Sequence, residues 1–385
     1  MVNDVKSYVD HRRTLDDKAP SSERDRVLTR SSPRAVDLSL PARRRVGGMT
    51  DITIDPPLRW GVLSTAAIAA NHVVPALKAA VGHDVVAVGS RDLVRATEWA
   101  NEREIATAHG SYDDLLADPN VEAIYNPLPN HLHVDWSIAA LEAGKHVLCE
   151  KPLGLDTADA RRLLDAAANY PGLVVMEAFM YRFHPQWIAA RELVRDGRVG
   201  ELRTIQTFFS YFNDDPSNVR NDATIGGGAL LDIGCYPISQ ARFLFDDEPE
   251  RVLGLIARDP SFGTDRITSA ILDFGNGRSA TFTVSTQLHG HQRAQIVGTT
   301  GHIEVDIPVN SPKDRAAELT VVAHNRDKEV LSFGPVDQYT CQADAFGAAI
   351  RSEQPAPTPL SDAIANMAVI DAVFASAAAD GWCAV

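Results

Sequence analysis

The sequence predicts an α/β protein in which a doubly wound parallel sheet is followed by an α+β region with a large open, mainly antiparallel sheet. From residue 58 onward, short apolar runs typical of strands alternate with helical periodicity, the pattern of a parallel sheet covered by helices. Further along, strand-like runs follow one another, and Ser279–Val284 alternates polar and apolar residues as a half-buried antiparallel strand does. We therefore expect a first domain over residues 58–178 and a second over 179–385.

Each element of the first domain follows from its local pattern. Apolar runs of four or five residues mark the strands, and apolar residues recurring every three or four positions mark the helices. The predicted strands are 59–63, 85–88, 121–125 and 146–149, and the predicted helices are 68–80, 93–103, 112–116, 132–143 and 157–169. A helix between successive strands makes those strands parallel.

The second domain is read in the same way. Its predicted strands are 202–211, 251–257, 267–274, 278–287, 294–298, 302–305, 319–323 and 329–333. Two helices, 341–351 and 362–378, are expected to finish the chain. Ser361 precedes the second one and is predicted to be its N-cap, because a serine hydroxyl accepts a hydrogen bond from the first free amides.

Composition excludes several classes of function. The 385 residues carry a formal net charge of −14. Because nucleic-acid binding needs a basic face, we do not expect nucleic acid as a partner. No run of 18 apolar residues occurs, so we expect no membrane span. The four cysteines show no metal-ligand spacing. We expect reduced thiols, no metal and a cytoplasmic location.

Residues 1–57 are predicted to be an N-terminal extension without a folded core. The first 48 residues hold 11 Lys/Arg against 7 Asp/Glu and no sustained apolar period, which is typical of disorder. Arg43–Arg45 is not followed by the apolar core that a signal peptide requires. The favoured interpretation is a natural start at Met49.

The turn after the first strand occupies the place of a glycine-rich phosphate loop but lacks the glycines. Ser64, Ala66 and Ala69 stand at the three glycine positions, with Ala67 between them and the predicted helix beginning at Ile68. Small side chains let the backbone approach a pyrophosphate at a helix N-terminus. Serine and alanine meet that demand for size, although they tolerate positive φ less readily than glycine does. This turn therefore predicts a dinucleotide site, with a plain strand–helix turn as the alternative.

The end of the second strand favours NADP over NAD. Ser90 and Arg91 offer a hydroxyl and a guanidinium there, which suit a ribose 2′-phosphate through charge-assisted hydrogen bonds. NAD binding would instead need a carboxylate on the ribose hydroxyl, and Asp92 is the candidate.

Glu150, Lys151 and Pro152 end the strand-like run 146–149. In open α/β sheets the ligand crevice lies at the carboxyl edge of the strands. Lys151 is therefore expected within reach of a bound nicotinamide ring, the alternative being a solvated lysine after a strand.

A second motif lies in the second domain, where Gly226–Gly228 precede an apparent helix. Asp232 and Tyr236 are four residues apart in it and would share one helical face. A tyrosine beside a lysine is a candidate acid/base, because a cation stabilises the phenolate and lowers its pKa. The alternative is a capping aspartate and a core tyrosine.

Taken together, these motifs resemble the Gfo/Idh/MocA oxidoreductases. The resemblance covers about residue 58 to the C-terminus. It is nearest the branch of glucose–fructose oxidoreductase, D-xylose dehydrogenase and dihydrodiol dehydrogenase, whose members carry tyrosine at the position of Tyr236. The motifs that carry it, in order, are Pro129–His133, Glu150–Pro152, Glu177–Arg182 and Gly226–Tyr236.

The resemblance implies a Rossmann domain, an open sheet that pairs subunits into a homodimer or homotetramer, and a catalytic set. Lys151 would be the catalytic lysine, with Asp232 and Tyr236 beside the substrate. The implied cofactor contacts are Pro129, Asn130, His133, Glu150 and Lys151, with Tyr181 and Arg182 lining the cleft.

The expected activity is NADP-dependent dehydrogenation of a sugar, polyol or related cyclic hydroxyl. Tyr236 would take the hydroxyl proton while Lys151 stabilises the phenolate and Asp232 orients Lys151 or the substrate. A reductase of nucleotide-linked keto-sugars would use the same residues, with Arg220 as the candidate for the diphosphate. An NAD-dependent glycoside hydrolase has no distinguishing motif. A non-catalytic NADP-binding sensor would not need the three residues together.

Overall fold

The structure is a computed structural model that describes residues 56–323 and 327–385. Residues 1–55, nearly all of the predicted N-terminal extension, lie outside the described residues, as does the proposed start at Met49.

Within the described chain, six strands form a parallel sheet in the order β3-β2-β1-β4-β5-β6. The strand order reverses between β1 and β4, and the crevice for a ligand in such sheets opens beside that reversal. The predicted parallel sheet is confirmed, although β3 and β6 were not predicted. The strands are β1 Leu58–Leu63, β2 His83–Gly89, β3 Thr107–His109, β4 Ala123–Asn126, β5 His146–Cys149 and β6 Val175–Glu177.

Five helices of the described residues follow these strands. A π-helical turn, Ala69–Val73, leads into the first of them. The sheet is buried between its layers, and the β1 side chains Trp60 and Val62 are fully buried. The helices are α1 Val74–Ala79, α2 Leu93–Glu102, α3 Tyr112–Ala117, α4 His133–Glu142 and α5 Thr157–Ala167.

Nine further strands of the described residues form a second sheet, in the order β14-β13-β12-β11-β7-β10-β9-β8-β15. All neighbours pair antiparallel except β7 and β10, where Thr204 lies opposite Ser279 in a parallel pair. The mainly antiparallel sheet predicted from the sequence is therefore confirmed. Its strands are β7 Leu202–Phe212, β8 Arg251–Arg258, β9 Asp265–Asp273, β10 Ser279–Ser285, β11 Gln287–Gly298, β12 His302–Val305, β13 Ala317–Val322, β14 Lys328–Phe333 and β15 Cys383–Ala384.

Helices α6 Pro185–Arg195, α7 Cys235–Phe245, α8 Gln338–Arg351 and α9 Leu360–Ala379 complete the described elements. The predicted N-cap at Ser361 is wrong, because Pro359 takes that position and the helix begins one residue before Ser361.

Among the described residues, α9 alone is long and apolar enough to cross a membrane by length and composition. It packs against β8 and α5, and its Asp371 carboxylate accepts a hydrogen bond of 2.9 Å from the Thr157 amide at the start of α5. Half of its apolar window is buried inside the protein, as in a core helix.

Candidate active site

The turn after β1 takes the conformation of a glycine-rich phosphate loop without its glycines. Ser64 has φ +71°, the left-handed region that costs a non-glycine residue about 1–2 kcal/mol. Its amide donates to the Gly89 carbonyl at 2.8 Å, which fixes the turn. The predicted cradle (Ser64, Ala66, Ala67 and Ile68) remains partly or fully exposed at the carboxyl edge of the sheet. The backbone here fits a pyrophosphate at a helix N-terminus.

At the end of β2, Asp92 caps α2 and does not point at a ribose. Its carboxylate accepts hydrogen bonds from the amides of Val94 and Arg95 at 2.9 and 3.2 Å. Ser90 is buried beside it. Arg91 is exposed, and its guanidinium opposes the rise in the pKa of Tyr112 that burial causes. The end of β2 thus offers the Arg91 guanidinium to a cofactor. The Asp92 carboxylate, which NAD would use, already accepts hydrogen bonds from two backbone amides.

Arg91→Asp is expected to move the cofactor preference from NADP toward NAD. The variant removes a cation that would pair with the 2′-phosphate, and a lost charge-assisted hydrogen bond costs about 1.5–3 kcal/mol. The ratio of kcat/KM for NADP over NAD should fall by about one to two decades. Arg95→Ala, four residues further along the chain and inside α2, is the matched control. A ratio that does not move in Arg91→Asp would contradict the assignment.

Lys151 lies at the carboxyl end of β5, where it meets the second domain. Its Nζ donates to the Asp232 backbone carbonyl at 2.5 Å and lies 3.5 Å from Oδ1 of the same residue. The exposed fractions of the two side chains are 11% and 12%. Burial lowers the pKa of Lys151, but Asp232, Cys235 and Glu150 together outweigh burial, and the net pKa is raised. Lys151 is therefore a protonated cation at neutral pH.

Glu150 stands behind this cation. Its Oε1 accepts a hydrogen bond of 2.7 Å from the Tyr125 hydroxyl of β4. Burial raises the pKa of Glu150 in spite of the neighbouring Lys151. Asn130, in the loop after β4, donates from Nδ2 to the Gly226 carbonyl at 2.8 Å. That bond ties the predicted nicotinamide loop to the glycine motif of the second domain.

Tyr236 supports Lys151 through its ring and not through its hydroxyl. Lys151 Nζ lies 4.9 Å from the centre of the Tyr236 ring, a cation–π distance. The hydroxyl donates to Met180 Sδ at 3.5 Å. Burial raises the pKa of Tyr236 well above its usual value. The predicted lowering of this pKa by Lys151 is therefore wrong, because removal of the phenol from water dominates.

Asp232 and Tyr236 were expected to share one face of a single helix, but they lie in two consecutive helical segments. Leu230–Gly234 is a π-helical turn that runs into α7 at Cys235. Asp232 and Tyr236 nevertheless both contact Lys151. The structure brings the three predicted catalytic residues together.

Asp265 of β9 anchors the start of this helical segment. Its Oδ2 accepts hydrogen bonds of 2.7 Å from the Leu230 amide and from the Thr268 hydroxyl. Gly228 has φ +118°, and a Cβ there would lie 1.9 Å from Asp265 Oδ1. Glycine at 228 is thus required twice, by its backbone angle and by the carboxylate packed on it.

Asp265→Ala is expected to lower both the melting temperature and kcat. The variant leaves the Leu230 amide without an acceptor, and an unsatisfied buried donor costs about 1–3 kcal/mol. The segment that carries Asp232 should loosen as a result. The control is Thr268→Val, which keeps the Asp265–Leu230 bond and should leave kcat near the wild-type value. Equal losses in the two variants would contradict an anchoring role.

The same carboxyl predicts a pH dependence of stability. Burial raises the pKa of Asp265 from 3.8 to about 6. A carboxyl whose pKa is raised on folding contributes its full stability below its unfolded pKa and loses it as pH rises through the folded pKa. The free energy of unfolding should therefore fall between about pH 4 and pH 6 in the wild type. This part of the dependence should vanish in Asp265→Ala.

His133, which was predicted to contact the cofactor, lies in the core of the first domain. Its side chain is 1% exposed, and its ring nitrogens lie 2.8 Å from the Pro152 carbonyl and 2.6 Å from the Leu128 carbonyl. Burial lowers the pKa of His133 to about 4. The two ring nitrogens of His133 thus join two loops of the first domain, and the cofactor contact stays a prediction.

Tyr181 and Arg182, which were predicted to line the cleft, are both held by contacts within the protein. Tyr181 is fully buried, and its hydroxyl lies 2.7 Å from Ser239 Oγ. Arg182 forms an ion pair of 2.9 Å with Asp362 of α9. It lines a separate cavity of about 660 Å³ between α6, α7 and the segment before α9. Both residues brace the core behind Tyr236.

Two residues that sequence reasoning did not assign to the catalytic set contact Asp232. The Tyr211 hydroxyl donates to Asp232 Oδ2 at 2.5 Å, and Arg220 Nε lies 3.0 Å from Oδ1. The signal for Tyr211 was its place two residues after Phe209, on the inward face of the same strand. In the described residues, no group of three His, Cys, Asp or Glu side chains is arranged to hold a metal.

Comparison with known proteins agrees with this geometry. Residues 58–178 match the model of the oxidoreductase family with an NAD-binding Rossmann fold, and residues 187–304 match the GFO/IDH/MocA C-terminal domain. The chain belongs to the Gfo/Idh/MocA family of oxidoreductases.

Three relatives from this family illustrate the match. Uncharacterized oxidoreductase ORF334 of Rhizobium meliloti is 47% identical over 84% of this chain and 98% of its own length. D-xylose 1-dehydrogenase (NADP(+)) 2 of Haloferax volcanii is 36% identical over 83% and 97%. The crystal structure of a 3-ketoreductase from Actinomadura kijaniata with NADP and TDP-benzene matches at 31% identity and a TM-score of 0.78, over 83% of this chain and 98% of that one.

These matches confirm the predicted Gfo/Idh/MocA membership, the fold class and the oxidoreductase activity. The dinucleotide site predicted from the Ser64 turn is confirmed at the level of the domain, since the matching domain is a nucleotide-binding one.

Proposed function

We propose that this protein is an NADP-dependent oxidoreductase acting on a sugar, polyol or related cyclic hydroxyl. The observation that carries the proposal is the Lys151 ammonium, held by Asp232 at the carboxyl edge of the parallel sheet. Bound NADP would supply the hydride acceptor or donor. The D-xylose dehydrogenase among the relatives supports a sugar as substrate.

Some residues of the chain would bind the cofactor, and Lys151 would act on the substrate. The Ser64–Ile68 turn would hold the pyrophosphate, and Ser90 with Arg91 the 2′-phosphate. Pro129, Asn130 and Glu150 would position the nicotinamide end. Lys151 would donate a hydrogen bond to the reacting oxygen and stabilise the negative charge that develops there.

The test is a screen of nicotinamide absorbance against aldoses, polyols and dihydrodiols, with NADP and NAD in parallel. We expect turnover with at least one of these classes and a preference for NADP. If the protein binds NADPH tightly but turns over none of these substrates and no keto-sugar, the result would favour the non-catalytic sensor.

A second candidate function is the reduction of a keto group on a nucleotide-linked sugar. It is favoured by the protonated state of Lys151, because the ammonium can donate a hydrogen bond to a keto oxygen and stabilise the negative charge that develops there as hydride adds. The 3-ketoreductase among the relatives supports it. Oxidation of NADPH by a keto-sugar nucleotide, measured against oxidation of the matching alcohol, separates the two functions.

Assembly through the second sheet belongs to the same proposal. Leu255 and Ile271, on neighbouring strands, are exposed apolar side chains, and a second copy would cover them. Light scattering should then report a dimer or tetramer, and Leu255→Asp should lower the mass. We also propose that the enzyme works in the cytoplasm.

A further inference from the structure

Two side chains of the second domain contact the Asp232 carboxylate, in addition to Lys151. Arg220 Nε lies 3.0 Å from Oδ1, and the Tyr211 hydroxyl donates to Oδ2 at 2.5 Å. Both carboxylate oxygens are therefore bound. The carboxylate cannot rotate away from Lys151 without breaking one of these contacts.

The loop that carries Arg220 is itself fixed to the glycine motif. The Gly228 amide donates to the Arg220 carbonyl at 2.9 Å, and a Cβ at Gly227 would lie 2.6 Å from that carbonyl. Asn221, next in the chain, is buried and donates to the Asp215 carbonyl at 2.9 Å. The Arg220 backbone and the segment leading to Asp232 are thus built as one unit.

The charges around Asp232 come from four elements. Lys151 approaches from the end of β5 with Glu150 beside it, Arg220 from the loop after β7, and Tyr211 from β7. Cys235 and Tyr236 follow on its own helical segment. Burial by itself raises the pKa of Asp232, but Arg220, Lys151 and the Tyr211 hydrogen bond outweigh it and lower this pKa to about 2.

We propose that Arg220 is a positioning residue which, together with Tyr211, keeps Asp232 ionised and aimed at Lys151. Arg220 thereby determines that Lys151, and not Asp232, carries the proton of the site. The assignment of that proton to catalysis rests on the proposed function. This role replaces the diphosphate contact predicted for Arg220, whose Nε is committed to the carboxylate.

The direct test is a carbon-13 NMR titration of the aspartate carboxyl groups in wild type and Arg220→Gln, with Asp232→Asn identifying the signal. We expect no titration of Asp232 above about pH 4 in the wild type, since its pKa lies below that of a free aspartate. In Arg220→Gln the midpoint should rise by at least one pH unit. Arg220→Lys, which keeps the charge, should recover part of the shift. A midpoint that stays unchanged in Arg220→Gln would overturn the proposal.

The same variants have a kinetic readout. The acid limb of the kcat/KM profile should move to higher pH by about the shift seen by NMR, while NADPH affinity stays within a few-fold. Arg203→Gln is the matched control, because Arg203 is similarly exposed and pairs with Glu201 away from the site. An acid limb that moves equally in Arg203→Gln would contradict a positioning role.

Tyr211→Phe keeps the ring and removes one bond to Oδ2, so it tests the proposal even where Arg220→Gln fails to fold. Its Asp232 midpoint should rise by less than that of Arg220→Gln, and no rise at all would overturn the part assigned to Tyr211. The NMR titration needs no substrate. A failure of the proposed function would show as absent turnover in the wild type, with the carboxyl shifts unaffected.

Discussion

Lys151→Ala is expected to reduce kcat by about 10²–10⁴-fold, the usual contribution of a group that donates or accepts the reacting proton. The ammonium follows β5 at the carboxyl edge of the parallel sheet, and Asp232 holds it there. NADP affinity should stay within a few-fold of the wild type, because the phosphates and adenosine are bound elsewhere. Steady-state kinetics and NADPH fluorescence titration measure the two quantities on one sample.

Lys145→Ala is the matched control for this change. Lys145 is also a buried lysine of the first domain, but it donates to the carbonyls of Asp118 and Val121 at 2.9 and 2.6 Å. Its loss should lower the melting temperature and leave kcat close to the wild-type value. A Lys151→Ala variant that keeps more than about a tenth of the wild-type kcat would exclude the catalytic assignment.

Tyr236→Phe is expected to lower kcat by about 10²-fold, at the low end of general acid/base effects, without unfolding the protein, because we expect the hydroxyl to exchange Met180 Sδ for the reacting oxygen when substrate binds. The ring packs on Phe179 and Phe209 at centroid distances of 5.4 and 6.1 Å, and phenylalanine keeps these contacts. Only the hydroxyl is removed. Initial rates and thermal melting together separate loss of the hydroxyl's chemistry from loss of packing.

Tyr181→Phe provides the comparison, since Tyr181 is a fully buried neighbour whose hydroxyl contacts Ser239. That variant should change stability and not kcat. If Tyr236→Phe instead keeps the full kcat, then the ring beneath Lys151 is what matters, and the proton passes through Lys151 without the phenol.

The alternation of strands and helices could be predicted because an element of ordinary length shows its own hydrophobic periodicity. β3 and β6 were not predicted, since three residues are too few to show alternation. The prediction failed at Ser361 because capping depends on where the chain turns, and Pro359 ends the preceding extended segment. Helix α6, Pro185–Arg195, was not predicted either, although its length is ordinary. Local patterns therefore identified most elements, but not all of them and not their exact ends.

The sequence also predicted part of the candidate site. Lys151, Asp232 and Tyr236 stand in motifs with recognisable spacing, and the structure brings them together. Tyr211 and Arg220 have no such spacing, because a strand and a loop bring them to Asp232 only in the folded chain. The direction of the Tyr236 pKa shift was wrong for the same reason, since burial is a property of the fold.

The left-handed turn at Ser64 has a consequence for how this edge meets its ligand. A glycine there would adopt φ +71° without strain, yet it would bring no side chain. Serine accepts the strain and places a hydroxyl, both donor and acceptor, where the pyrophosphate is expected. The turn would thus exchange conformational ease for one further hydrogen bond to the expected pyrophosphate. Searches for such turns that require glycine will pass over chains that have made the same exchange.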